Sequence, residues 1–251
     1  MDTLIALLAA ITGYLAGSIS FARVIAHLVA PGDDISGVEV AVPGTDTRLT
    51  SNMISATTVR MNLGTRYGCL TSILDMLKAF IPGLIFKLWQ PDMPYYLITA
   101  GMATIGHNWS IFHRFTGGRG LSPVLGGFLV LDWIGALVTN MIGLVVGIPR
   151  KNVLLYTGLG IVLMIPWIWF RTQNWAQILY VVAMNVIYWT AMIPELREYA
   201  RLQREGELKP FQEARQLRVI RAGHEDRYYD FTLASLLDRI HRLFKREKHS
   251  A

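Results

Sequence analysis

The chain has 251 residues, 52% of them hydrophobic and 17% charged, with a mean hydropathy of +0.35; soluble domains carry about 25% charged residues. Long stretches offer no polar residues with which to face water, so composition excludes a soluble enzyme and points to lipid as the solvent. The net charge is +6, and 13 of the 24 Lys and Arg lie in residues 195–251 beside ten acidic residues, a basic tail of the kind that stays cytoplasmic. The single cysteine, Cys69, rules out an internal disulfide, and no Cys/His cluster has zinc-ligand spacing, so no metal or cofactor is expected.

In chain order, the first apolar stretch, residues 3–30, exceeds the roughly 20 residues that cross a bilayer core. It lacks a basic n-region and a convincing cleavage site and reads as a retained span with an external N-terminus. Residues 31–66 form a long loop containing Pro31, Gly32, Pro43, Gly44 and a Ser/Thr run from Thr45 to Thr58; loops of that length are functional or disordered. Spans follow at 67–89 and 95–113. The stretch 119–148 is long enough for one helix, but Asp132-Trp133 near its middle suits an interface better than a bilayer centre. Divided there, it yields two short segments, 119–131 and 132–148, and further spans are expected at 153–170 and 175–193.

Charge chooses between six spans and seven. Seven place Arg48, Arg60, Arg66, Arg114, Arg119, Arg150, Lys151 and the tail on the inner face, with Arg171 and Lys87 outside; six set Arg114 and Arg119 across the membrane from Arg150 and Lys151. Seven is preferred, with 119–131 short, tilted or re-entrant. The expected fold is an all-α polytopic bundle, a membrane domain over 1–194 and a basic, cytoplasmic, helical tail over 195–251. In the tail, Leu233, Leu236, Leu237, Ile240, Leu243 and Phe244 recur at helical spacing beside Arg239, Arg242, Lys245 and Arg246, which predicts an amphipathic helix over 230–246 drawn to anionic lipid. Nothing in the chain points to nucleic acid, and the oligomeric state is left open.

Two places carry chemistry. Between Gly106-His107-Asn108 and Gly117-Gly118-Arg119-Gly120 a span ends in a glycine-rich turn that holds an arginine. Glycines let backbone N–H groups converge on one anion, and the following segment adds a helix N-terminus, which is phosphate-binding chemistry in outline; a plain membrane turn with one inside-positive arginine is the alternative. Lys78 lies within the second span near Asp75, facing a cavity or pairing with Asp75 and snorkelling to the inner interface. No histidine has an Asp five residues on, and neither a Gly-x-Ser-x-Gly elbow nor a Walker-type loop occurs, which argues against a hydrolase or a nucleotide-driven pump.

These residues resemble the PlsY-type acyltransferases. The resemblance runs through Tyr14-Leu15-Ala16-Gly17-Ser18-Ile19-Ser20-Phe21-Ala22 and Asp75-Met76-Leu77-Lys78-Ala79-Phe80-Ile81-Pro82, is strongest from Gly106-His107 to Gly120, and covers about residues 10–205. Departures are local. The family's Gly-Ser-Gly-Asn-x-Gly-Ala-Thr-Asn loop corresponds to residues 50–58, where Ser51, Ala56 and Thr57 survive without the glycines and both asparagines; the following arginine falls on Met61, with Arg60 one place early. In the glycine turn the two lysines are Thr116 and Arg119, and Ser110 replaces a proline. A His and an Asn before the family's Arg-Leu pair correspond to Glu195 and Glu198, with Arg201-Leu202 retained.

The resemblance implies transfer of an acyl chain from acyl-phosphate to glycerol 3-phosphate, giving lysophosphatidic acid for membrane phospholipid synthesis in the cell's inner (plasma) membrane. It assigns catalytic roles to Ser51, Arg119 and Arg60, and substrate contacts to Lys78, His107, Asn108, Gly117, Gly118, Gly120, Arg66 and Arg201. Catalysis would rest on positioning two phosphorylated substrates and stabilising charge. Arg119 would hold one phosphate, Arg60, Arg66 or Lys78 the other, and Ser51 would orient the donor. The alternative is a family-derived membrane protein that binds a phosphorylated lipid, or serves in a membrane complex, without transfer; a transporter is disfavoured because no inverted repeat is visible.

Overall fold

Backbone N–H and C=O groups have no water to bond in a bilayer, so apolar stretches there must satisfy themselves as helices. In the computed structural model, which describes residues 2–32, 38–41, 48–51, 53–150, 152–206, 216–220 and 227–230, each stretch expected to cross the membrane contains a helix. The helices are α1 (Thr3–Ser18), α2 (Phe21–Val29), α3 (Ala56–Leu63), α4 (Thr65–Trp89), α5 (Tyr95–Asn108), α6 (Leu121–Gly147), α7 (Val153–Thr172), α8 (Trp175–Ala191) and α9 (Ile193–Glu205). Short polar side chains start several of them. Asp2 accepts from the Leu4 and Ile5 amides, Asn152 from Leu155, and Asn174 from Ala176 and Gln177. Among the described residues four helical stretches, Thr3–Val29, Thr65–Trp89, Leu121–Gly147 and Leu154–Thr172, are each long and apolar enough to cross a membrane, and α8 joined to α9 across its break makes a fifth.

The chain divides into two compact units, Met1–Ser36 with Met53–Leu196, and Gly37–Asn52 with Arg197–Ala251. In the first, Phe128, Val124, Ile161, Met164, Ile168, Tyr95 and Tyr188 form the centre of the core. The first span is not one helix: Ile19 and Ser20 are extended, and this breaks it into α1 and α2. Carbonyls freed at the break find partners elsewhere, Ser18 O accepting from Ser110 Oγ at 2.6 Å and Ile19 O from Lys78 Nζ at 2.7 Å.

The second break falls at Asp132, where the sequence divides 119–148. Asp132 is extended (φ −152°, ψ 98°) and caps the half-helix that follows, its Oδ1 accepting from the Gly135 amide at 3.1 Å. Its Oδ2 accepts from Arg171 Nε at 2.6 Å and Trp167 Nε1 at 3.0 Å, while Lys87 Nζ donates to the Val130 and Leu131 carbonyls. The half before the kink runs along α4, Gly126 against Met76 and Val130 against Gly83; the half after it runs against α7 in the opposite sense, Gly135 on Trp167, Gly160 on Asn140 and Gly147 on Tyr156. The ends of α4 and α7 that carry Lys87 and Arg171 therefore meet at the kink, and α6 doubles back there.

The second unit holds a small antiparallel sheet of β1 (Val38–Ala41), β2 (Arg48–Ser51), β3 (Gln216–Ile220) and β4 (Arg227–Asp230), in the order β2-β1-β3-β4. Glu39 pairs with Ile220 and Val40 with Val219, so the long loop and the tail share one sheet. The tail is thus helical over α9 but extended at 216–220 and 227–230, a correction to the helical tail read from sequence. The reason is local: apolar Leu217 and Val219 alternate with Gln216 and Arg218, and Tyr228-Tyr229 are strand formers. The rest of the amphipathic helix expected over 230–246, together with Asn52 and Lys151, lies outside the described residues.

Helices α1 and α5 approach closely enough that a Cβ at Gly17 would lie 2.0 Å from the Ala103 carbonyl oxygen. Gly17→Val should therefore lower stability by about 1–3 kcal/mol through overpacking, read as a lower thermal unfolding midpoint of the purified protein in detergent; an unchanged midpoint would contradict this packing.

Candidate active site

Helix α5 ends at Asn108, and the chain crosses a short 3-10 turn at 111–113 before reaching the glycines. Arg114 and Phe115 both adopt left-handed backbone (φ 52° and 59°), unusual for residues with a Cβ. The turn then lies directly on the end of α5. The Gly118 amide donates to the His107 carbonyl at 3.1 Å, and a Cβ at Gly118 would lie 2.2 Å from His107 Nε2. A Cβ at Gly117 would lie 2.0 Å from the His107 oxygen, and Gly120, at φ 82°, faces the Asn108 carboxamide. Glycine is required here for close packing as well as for turning.

What remains open at the turn is polar. Asn108 is buried, and neither carboxamide atom has a hydrogen-bond partner among the described residues. Beside it α6 begins after Gly120, and the first amides of a helix have no partner within it. An orphaned carboxamide against a helix N-terminus is suited to an anion.

His107 is braced from below. Its Nδ1 lies 3.6 Å from Asp75 Oδ1, and the same oxygen pairs with Lys78 Nζ at 2.9 Å. Asp75 and Lys78 are buried, so Lys78 does not snorkel to the interface. With Asp75 and Ile19 O both holding its ammonium, Lys78 ties α1 to α4 and is in place to support the turn. Ser18, Asp75, Lys78, His107, Ser110 and Gly118 line a small cavity, into which His113 also faces. Burial, with the charges of Arg23 and Lys78, holds the His113 imidazole below the ordinary histidine range.

Arg119 leaves the turn towards the segment after α8, where its Nε donates to Glu195 Oε1 at 2.7 Å. The charge of Arg119 also acts on Tyr188 and Tyr156, and that of Arg60 on Tyr156. Of the residues read from sequence, His107, Asn108, Gly117, Gly118, Gly120 and Arg119 come together at the turn, with Lys78 behind His107. Arg66 is exposed at the start of α4. Ser51 stands in β2 and Arg201 in α9, both in the second unit, and the Arg201 guanidinium engages Glu198 at 2.5 Å and Glu205 at 3.4 Å. Asp75 as a brace for His107, Glu195 as the partner of Arg119, and Tyr156 and Tyr188 beside it were not found as site residues by sequence reasoning.

The family described as "Glycerol-3-phosphate acyltransferase" matches residues 7–201. The chain belongs to that family. A glycerol-3-phosphate acyltransferase of Aquifex aeolicus is 38% identical over 122 residues, 48% of this chain and 57% of that protein. Another, of Thermosipho melanesiensis, is 31% identical over 163 residues, 64% of this chain and 74% of that protein. The crystal structure of PlsY (YgiH), an integral membrane glycerol 3-phosphate acyltransferase in its glycerol 3-phosphate form, is similar with a TM-score of 0.67 at 26% identity, over 80% of this chain and 93% of that one. The matched region contains the glycine turn, Arg119 and Glu195, and the chain is a multi-pass membrane protein.

Since Gly118 sits against a braced His107, Gly118→Ala has nowhere to put its methyl group without moving the turn. Acyl transfer should fall at least about tenfold, as a misplacement of about 1 Å does at a positioned site, with the protein still monodisperse in detergent. Full activity in Gly118→Ala would show that the turn is not held against His107.

Proposed function

We propose that the chain moves an acyl group from acyl-phosphate to glycerol 3-phosphate, releasing phosphate and forming lysophosphatidic acid for membrane phospholipid synthesis. The observation that carries this reading is the placement of Arg119 in a glycine turn that opens α6 on the orphaned Asn108, within the region matched to the acyltransferase family. The donor is already a mixed anhydride, so the reading invokes no metal or cofactor. Binding two phosphorylated molecules side by side converts a bimolecular encounter into an oriented one and screens their mutual repulsion. Arg119 and the α6 N-terminus take one phosphate; Arg60, with Arg66, takes the other, and Ser51 orients the donor, both on the resemblance of the loop they occupy. Lys78 acts through His107, and Arg201 is left to its partners in α9.

The same reading places the protein in the plasma (inner) membrane with seven passes, the N-terminus outside and the tail inside, its basic residues over 230–246 meeting anionic lipid. Doubling back of α6 at Asp132 supports the seventh pass, and the distribution of Lys and Arg supports the orientation. A cysteine placed at Gln173 in a Cys69→Ser background should react with a membrane-impermeant maleimide added outside intact cells. Labelling only after the cells are opened would remove this topology.

The engagement of Arg119 by Glu195 favours a second reading, a non-catalytic member that binds a phosphorylated lipid. Purified protein in lipid nanodiscs, supplied with acyl-phosphate and labelled glycerol 3-phosphate, decides between them: the enzyme forms labelled lysophosphatidic acid, and the binder retains ligand without product. In the active protein Arg119→Ala should lose about a hundredfold or more, and Arg119→Lys should keep part of the rate, since the charge returns without the fork. Undiminished transfer by Arg119→Ala would make the turn a plain membrane connection.

A further inference from the structure

Arginine carries its guanidinium on a flexible stem, so its fork selects a ligand geometry only where something holds the side chain. Arg119 stands between Gly118 and Gly120, which have no side chains to hold it. Its hydrogen bond among the described residues is made through Nε, to Glu195 Oε1 at 2.7 Å, while Nη1 and Nη2 make none. Glu195 gives that bond a fixed base. It follows Pro194 in the first turn of α9, where the Leu196 amide donates to the carbonyl of Met192, a buried residue of the core that also holds Tyr188. An ion pair built for its own strength engages both oxygens in parallel; this one joins one nitrogen to one oxygen and leaves the paired Nη groups unengaged. The Arg119 side chain is 24% exposed, whereas Glu195 Oε2 is buried, so a ligand meets the arginine side of the pair.

A carboxylate beside a phosphate-binding cation opposes the incoming anion, and that repulsion is offset only where the carboxylate improves the placement of the cation. We propose that Glu195 is a positioning residue for Arg119: by holding Nε it presents the paired Nη groups to the acceptor's phosphate, and it takes no part in proton transfer. The inference rests on the reading of the site as an acyltransferase. The role depends on arginine having separate donors for the two tasks. A lysine at 119 would have one ammonium for both, so Glu195 would compete with the phosphate for it. The carboxylate that helps an arginine would therefore hinder a lysine.

Steady-state kinetics of the full chain in nanodiscs, at saturating acyl-phosphate and varied glycerol 3-phosphate, test this by substituting the two residues singly and together. With Arg119 in place, Glu195→Ala should lower kcat/KM for glycerol 3-phosphate about tenfold or more, and Glu195→Gln, which still offers an oxygen to Nε, should keep part of what Glu195→Ala loses. In the Arg119→Lys background the sign reverses, and either Glu195 substitution should raise kcat/KM about threefold or more above Arg119→Lys alone. Where Glu195→Ala is not monodisperse, the Gln variants carry the same comparison. Failure of the rate to rise in the Arg119→Lys background would make Glu195 a support of the fold that does not act through the guanidinium. A gain with Arg119 in place would make it an obstruction, and parental kinetics in Glu195→Ala a bystander; each of these results overturns the proposal. If the parent protein forms no lysophosphatidic acid, the acyltransferase reading itself fails and this role fails with it, a result distinct from an active parent whose Glu195 variants behave alike in both backgrounds.

Discussion

The buried pair of Asp75 and Lys78 is the constraint on which the site end of the bundle depends. Two charges inside a membrane domain are tolerated only with complete partners, and here each partner is a joint between elements. The Lys78 ammonium sits at the C-terminal end of α1, where freed carbonyls and the helix dipole favour a cation. That contact closes the break between α1 and α2. Asp75, held by Lys78, in turn stands beside His107, and His107 carries the glycine turn on both its carbonyl and its ring. Moving Lys78 would loosen α1, α4 and α5 together, and with them the floor under Arg119.

A second charged residue does comparable work at the opposite end of the helices. Asp132 gives up helical geometry, caps the half-helix after it and collects Arg171 and Trp167. The reversal it permits lets α7 and α8 bring Tyr156, Tyr188 and finally Glu195 to the turn that opens α6. Without the reversal the chain would emerge with α8 ending away from Arg119. The buried charges of this membrane domain thus stand at its breaks, whereas buried hydroxyls such as Thr99 and Thr104 bond the carbonyl four residues back within an unbroken helix.

Hydropathy made the helices legible, and an acidic residue in the middle of a 30-residue apolar stretch made the kink at Asp132 legible too, since a carboxylate is costly at mid-bilayer and a break carries it to an interface. The glycine turn was visible through composition. Its contacts were not: the need for glycine at 118 comes from a ring eleven residues earlier, and its spacing carries no periodicity to read. Lys78 was noticed as unusual but not assigned, because its decisive partner, Ile19 O, is a backbone atom 59 residues away. The strands of the second unit were missed for a different reason. Each has four or five residues, and charge content hid an alternation too short to outweigh the helical spacing further along the tail.

Arg119 and Glu195 illustrate how two substitutions can be meaningless apart and coherent together. Read singly, an acid near a phosphate site opposes binding, and an arginine in place of lysine alters contact geometry. In the folded chain, 76 residues apart, they meet at 2.7 Å. An ammonium is a point charge, and a carboxylate drawn onto it would meet the same centre that an incoming phosphate needs. A guanidinium separates the two, because Nε lies on a different edge from the paired Nη groups. Glu195 can thus hold the side chain in one orientation through Nε without occupying the paired Nη groups. The acid is compatible with phosphate recognition because its partner is arginine, and arginine is oriented because its partner is an acid.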